Sequence, residues 1–200
     1  GHLATLEDGS PRAVPLNFVV LGQHIYLHGS PEGVLARQAG HRVSFTAQDM
    51  ACWIPSTWRH PHNACPATTF YRSVGLLGEL QTVSDLQTKA QALELFMTKY
   101  QPQGGHRPIR ADHRSYAGPL RSLQVSRLPW HNAVVKVKVG QHLTPEKRIQ
   151  VFEKLRARAL PEDRWISLEM ARVEPELLTP HWVEDPRKIP MSQLQALVGP

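Results

Sequence analysis

Short apolar runs separated by turn residues fill the first quarter of the chain. Residues 2–6 (His-Leu-Ala-Thr-Leu) read as a strand, and 14–20 and 25–27 are almost continuously apolar, as strands buried on both faces are. Glu7-Asp8-Gly9-Ser10-Pro11, Leu21-Gly22-Gln23 and Gly29-Ser30-Pro31-Glu32-Gly33 punctuate them. The pattern predicts a meander of antiparallel strands closed as a barrel, with one or two helical turns at 34–40 before a strand at 42–46. Residues 47–67 follow neither period and carry Trp53 and Trp58, which predicts a long ordered loop. Strand composition returns at 68–83, where Gly75 and Gly78 mark bends or close approach.

Ser84 with Gln87 three residues on is a capping-box spacing, and Leu86, Ala90, Leu93, Phe96, Met97 and Tyr100 recur at helical intervals. A loop is predicted over 101–118, then strands at 123–128 and 133–139. Thr144-Pro145 opens a further helix with Ile149, Phe152 and Leu155 as its inner stripe, stopping near Pro161. A short helix or strand follows at 165–173. The fold class is mainly β with flanking helices, an α+β domain over 1–173. A Pro-rich extension, 174–200, is expected to pack on the barrel or on a partner subunit.

Composition narrows the partners. A net charge of +6 favours anionic ligands, but the Lys and Arg residues are scattered, which argues against a nucleic-acid arm and for a phosphate-bearing small molecule. Two cysteines are too few for a disulfide framework, and no stretch of eighteen apolar residues or signal-peptide pattern occurs, so a cytoplasmic protein is expected. The chain opens at Gly1 without an initiator Met, which leads us to expect a trimmed or omitted preceding segment.

Four constellations could carry chemistry. The strand-to-turn Tyr26-Leu27-His28-Gly29-Ser30 can aim backbone N–H groups and a hydroxyl at an anion, although an ordinary turn has the same composition. In Thr68-Thr69-Phe70-Tyr71-Arg72-Ser73 the side chains of Thr69, Tyr71 and Ser73 share one strand face, suiting a flat ring with polar edges or a solvated face. Lys136 and Lys138 lie on one face of Lys-Val-Lys-Val-Gly-Gln, where an anion would relieve their repulsion and a lysine-blunted edge strand would equally explain them. Cys52, His60, His62 and Cys65 have zinc-ligand side chains without zinc-site spacing, and no metal site is assigned.

Taken in order, residues 1–6, Val14-Pro15-Leu16-Asn17-Phe18, Tyr26-Leu27-His28-Gly29-Ser30 with Glu32-Gly33, and Arg42-Val43-Ser44-Phe45 resemble the opening of the pyridoxamine-5'-phosphate-oxidase-like split barrels. The nitroimidazole-resistance type of flavin-nucleotide-binding protein is nearest. Residues 64–74 and 99–105 are similar to members with a long inserted loop, and 136–141 resembles the Lys-rich closing motif seen there and in PaiB-like regulators. The likeness spans roughly 1–158. It implies a six-stranded antiparallel split β-barrel, a homodimer with FMN at the subunit interface, and an oxidoreductase acting on a small-molecule acceptor. A non-catalytic flavin sensor, a PaiB-like regulator or a haem-binding protein stands as the alternative. The resemblance implies Asn17, His28, Ser30, Ser73, Lys136, Lys138 and Gln141 as cofactor-binding residues, to which the strand face of 68–73 adds Tyr71; His28 is the one candidate for catalysis. The family usually places a Lys after the Glu-Gly pair, whereas Val34 and Leu35 stand here; Arg37 is the candidate substitute. FAD, haem or a deazaflavin stands as the alternative to FMN if Arg37 does not serve.

Overall fold

The computed structural model describes residues 1–173, without the side chain of Met50. The expected extension at 174–200 lies outside the described residues. Contacts among the described residues fall into two compact units, Gly1–Ala47 with Val74–Val134, and Gln48–Ser73 with 135–173.

In the first unit β1 (His2–Glu7) pairs with β2 (Ser10–Pro15) in a hairpin whose register runs from His2 opposite Pro15 to Glu7 opposite Ser10. Its two-residue turn, Asp8-Gly9, holds both φ angles positive (52° and 75°), the geometry that matches the twist of paired strands. β1 pairs on its other side with β5 (Arg42–Ile54), and β6 (Thr68–Glu79) lies beyond β5. A second sheet has the order β3 (Val19–Leu21), β4 (His24–Gly29), β8 (Gln124–Pro129), β7 (Gln81–Thr82). Neither sheet closes on itself.

The run at 25–27 is buried on both faces, as expected, and the packing shows why. Ile25 and Leu27 meet Leu3, Phe45, Leu76 and Leu128, with Leu35 of α1 (Val34–Arg37), in one core cluster. Tyr26 points the other way, to Val125, Ala92 and Phe96, the last two from α2 (Leu86–Tyr100). The run at 14–20 behaves differently. It breaks at residues 16–18, and β2 is a mostly exposed edge strand whose Pro11 and Pro15 are tolerated because an edge need not donate every N–H.

Asp85, not Ser84, caps α2: its carboxylate accepts from Thr88 N at 2.7 Å and from the Thr88 hydroxyl at 2.6 Å. A charged acceptor outcompetes a hydroxyl for those N–H groups. The loop predicted over 101–118 ends early, in α3 (Arg114–Ser122), where His113 Nδ1 accepts from Ser115 N. The buried Lys89 ammonium donates to the carbonyls of Leu120 and Leu123 at 3.0 and 2.7 Å, satisfying the end of α3. Burial holds its pKa below the ordinary lysine value.

In the second unit the predicted loop at 47–67 is shortened from its start. β5 continues to Ile54, with Cys52 and Ile54 inward and Trp53 outward, and a 3-10 turn follows at Ser56–Trp58. Phe70 of β6 packs with Cys52, Ile54 and Val139, and with Val151, Phe152 and Leu155 of α4 (Pro145–Arg158). α5 (Pro161–Val173) adds Ile166, Leu168 and Met170. Thr144 and Pro145 open α4 as predicted, but Ile149 is exposed, and Arg148 and Val151 take the inward positions. β9 (Val134–Lys138) lies beside β6 in the sheet order. Among the described residues no helix is long and apolar enough to cross a membrane.

Candidate functional site

The nine nominated residues divide between the units. In the first, Asn17 and His28 line one cleft of about 450 Å³ together with His2, Pro15 and Leu16. That volume lies within the range of about 300–1,000 Å³ usual for small-molecule sites. Asn17 is exposed because the chain leaves β2 at Pro15 and re-enters a sheet only at Val19.

His28 sits on β4, half-buried, its ring edge-on to Phe96 at 4.6 Å between centroids. Among the described residues its imidazole has no hydrogen-bond partner. Burial lowers its pKa, because the imidazolium would lose hydration there. His28 also lines a second cleft, of about 410 Å³, against α2 and α3.

Ser30 is exposed and turns inward on its own loop, its Oγ accepting from Glu32 N at 3.3 Å. Arg37 is engaged: Nε and Nη2 donate to Glu7 Oε1 at 3.2 and 2.8 Å, and Nη1 donates to the Glu32 carbonyl at 2.8 Å. A phosphate at Arg37 would have to compete with the Glu7 carboxylate.

The second unit holds the other five. Lys138 is half-buried and donates to Thr68 Oγ1 at 2.6 Å, and Lys136, two residues back on the same strand face, stands 5.8 Å from the Tyr71 ring centroid. Neither ammonium has a carboxylate partner among the described residues. Tyr71 and Ser73 share their face of β6, while Arg72 on the opposite face is held by Asp49 through two bonds of 3.1 and 2.8 Å. Those bonds raise the Arg72 pKa further. Gln141 braces the strand end: its Oε1 accepts from Val139 N at 2.9 Å and its Nε2 donates to the Val137 carbonyl at 2.8 Å.

Sequence reasoning missed Arg148. From the buried face of α4 its guanidinium donates to the carbonyls of Gly140, Gln141 and Leu143 at 3.1, 3.1 and 2.6 Å, fixing the turn that follows Lys138. Its signal is an arginine at the inward spacing of Val151, Phe152 and Leu155.

Cys52 and Cys65 are not a pair: the first is buried and the second exposed. Burial, reinforced by the nearby Asp163 charge, pushes the Cys52 thiol up to about 12. We expect Ellman's reagent at pH 8 to modify one of the two thiols rapidly in the native protein, Cys65, and the second only on denaturation. Rapid reaction of both would contradict the packing. His60 Nδ1 accepts from the backbone N–H groups of His62 and Asn63 and so serves its own loop.

The sequence pattern of pyridoxamine 5'-phosphate oxidases matches residues 1–137. The chain belongs to that family. Its two open antiparallel sheets with flanking helices are the split barrel the resemblance implied. No curated protein shows a significant match to the sequence. Among solved structures, the flavocytochrome Anf3 of Azotobacter vinelandii is 25% identical with a TM-score of 0.53 over 74% of this chain. This chain spans 65% of that one. The FAD and haem binding protein of Mycobacterium smegmatis is 22% identical, TM-score 0.51, covering 74% of this chain and 69% of its own. A 5-nitroimidazole antibiotic resistance protein of Bacteroides thetaiotaomicron is 24% identical, TM-score 0.47, with coverage of 67% and 74%.

Proposed function

We propose that this member of the family binds FMN and serves as a flavin-dependent oxidoreductase for a small-molecule acceptor, as a homodimer. The observation that carries the reading is the face of β9 in the second unit. Two ammonium groups stand there without a carboxylate partner among the described residues, one beside the Thr68 hydroxyl and the other over Tyr71. Like charges left together favour an anion between them, and a phosphate monoester accepts both charge-assisted bonds. Lys136, Lys138 and Thr68 are the residues we assign to the phosphate. Gln141 and Arg148 hold the strand end in place.

A bound flavin supplies the electron-transfer chemistry; the protein orients it and excludes water. His28, whose imidazole has no partner among the described residues, can donate one hydrogen bond or take up one proton at a ring nitrogen. The flavocytochrome likeness favours a second reading, in which haem is carried as well.

One measurement addresses both. The visible spectrum of the protein as purified, followed by titration with FMN, is expected to show flavin bands or saturable FMN uptake. A haem band beside them would establish the second reading. A colourless protein that takes up neither FMN nor FAD would overturn the first.

A further inference from the structure

The second cleft lined by His28 is distinct in chemistry from the first. α2 contributes Leu93, Phe96 and Met97; α3 contributes Tyr116 and Leu120; Ile109 closes the far side. Among the described residues no charged side chain lines it. Two of its three polar groups are already engaged: the Tyr116 hydroxyl donates to the Arg107 carbonyl, and the Ser122 hydroxyl to that of Pro119 at 3.2 Å. Among the described residues His28 is left as the one polar side chain of the lining free to meet a ligand.

The walls are held in place before any ligand arrives. Lys89 ties α2 to the end of α3, and the Glu94 carboxylate of α2 accepts from Ile109 N at 2.8 Å and bonds His106 Nε2 at 3.2 Å. A pre-formed apolar cleft of about 410 Å³ stands near the lower end of small-molecule sites. A charged ligand would lose hydration there without compensation. A flat ring would lie against the edge-to-face pair of His28 and Phe96, where aromatic geometry is favourable.

We propose that this cleft binds a planar, uncharged one- or two-ring aromatic molecule, with its carbonyl-type oxygen at the His28 imidazole, and that this is the acceptor class. The binding follows from the cleft alone; its role as acceptor rests on the flavin reading above. Coumarin is a suitable probe, being flat, neutral, carbonyl-bearing and inert toward the exposed Cys65 thiol.

Saturable one-to-one binding of coumarin is expected by calorimetry. In methyl NMR its ring current should move the Met97 Cε resonance while that of Met170, buried in the second unit, stays unmoved. Met97→Trp, which fills the cleft, should weaken binding at least tenfold in protein whose melting temperature shows it folded. Absence of a Met97 shift at saturating coumarin overturns the proposal, as does unchanged affinity in folded Met97→Trp. FMN titration of the same sample separates the two readings. Flavin uptake without coumarin binding removes the cleft proposal alone, whereas coumarin binding without flavin uptake leaves the site standing and removes its role as an acceptor pocket.

Discussion

Asp163→Ala is expected to cost about 3–5 kcal/mol of stability, the range for breaking a buried ion pair by removing one partner. The carboxylate is fully buried at the first turn of α5, accepts from Arg158 Nε at 2.7 Å and from Leu160 N at 3.1 Å, and faces Arg158 Nη2 as well. Its loss strands the Arg158 guanidinium, which also donates to the Trp53 carbonyl at 2.8 Å and stands 4.7 Å from the Trp58 ring. The joint between α4 and α5 depends on this pair, because Ala159 between them is left-handed (φ 56°), a conformation a non-glycine residue adopts at some cost. Arg158 retains about a quarter of its exposure, so water relieves part of the stranded charge and the lower half of the range is expected. Urea denaturation followed by tryptophan emission reads the effect, since Trp53, Trp58 and Trp165 all lie in this unit. Asp163→Asn keeps the shape and one acceptor and should fall between wild type and alanine. A loss below about 1 kcal/mol in Asp163→Ala would place the pair among exposed ion pairs, which contribute little.

Much of the fold was legible because period and punctuation coincide. Asp8-Gly9 between alternating strands, the helical spacing from Leu86 to Tyr100 and Thr144-Pro145 each state their geometry locally. The failures have a common source in tertiary context. β5 runs on to Ile54 because Cys52 and Ile54 alternate with Trp53, but an outward tryptophan erases the polar half of a strand pattern. In α4, Arg148 reads as a surface residue by type, and only the three carbonyls beyond Lys138 make its burial favourable. The site was legible by residue type and not by arrangement. Period alone puts Lys136 and Lys138 on one face, whereas the commitment of Arg37 to Glu7 depends on a hairpin residue thirty positions away.

Lys138→Met should weaken FMN binding by about 10- to 150-fold, the equivalent of about 1.5–3 kcal/mol for a hydrogen bond to a charged group. Methionine preserves most of the aliphatic stem, so the strand should fold as before, minus the bond to Thr68 Oγ1. Lys136→Met should have a smaller effect, one that shrinks further in salt, because Lys136 is exposed and its field is screened within about 10 Å at 0.1 M. Riboflavin, which carries the ring but no phosphate, separates the assigned role from a general loss of the site. If β9 holds the phosphate, Lys138→Met reduces FMN affinity toward that of riboflavin and leaves riboflavin binding within about twofold, since no charge-assisted bond to riboflavin is removed. Equal losses for both ligands would mean that Lys138 supports the fold of the site and does not touch the phosphate, and the anion would then have to be sought at Ser30 and Arg37, against the competition of Glu7.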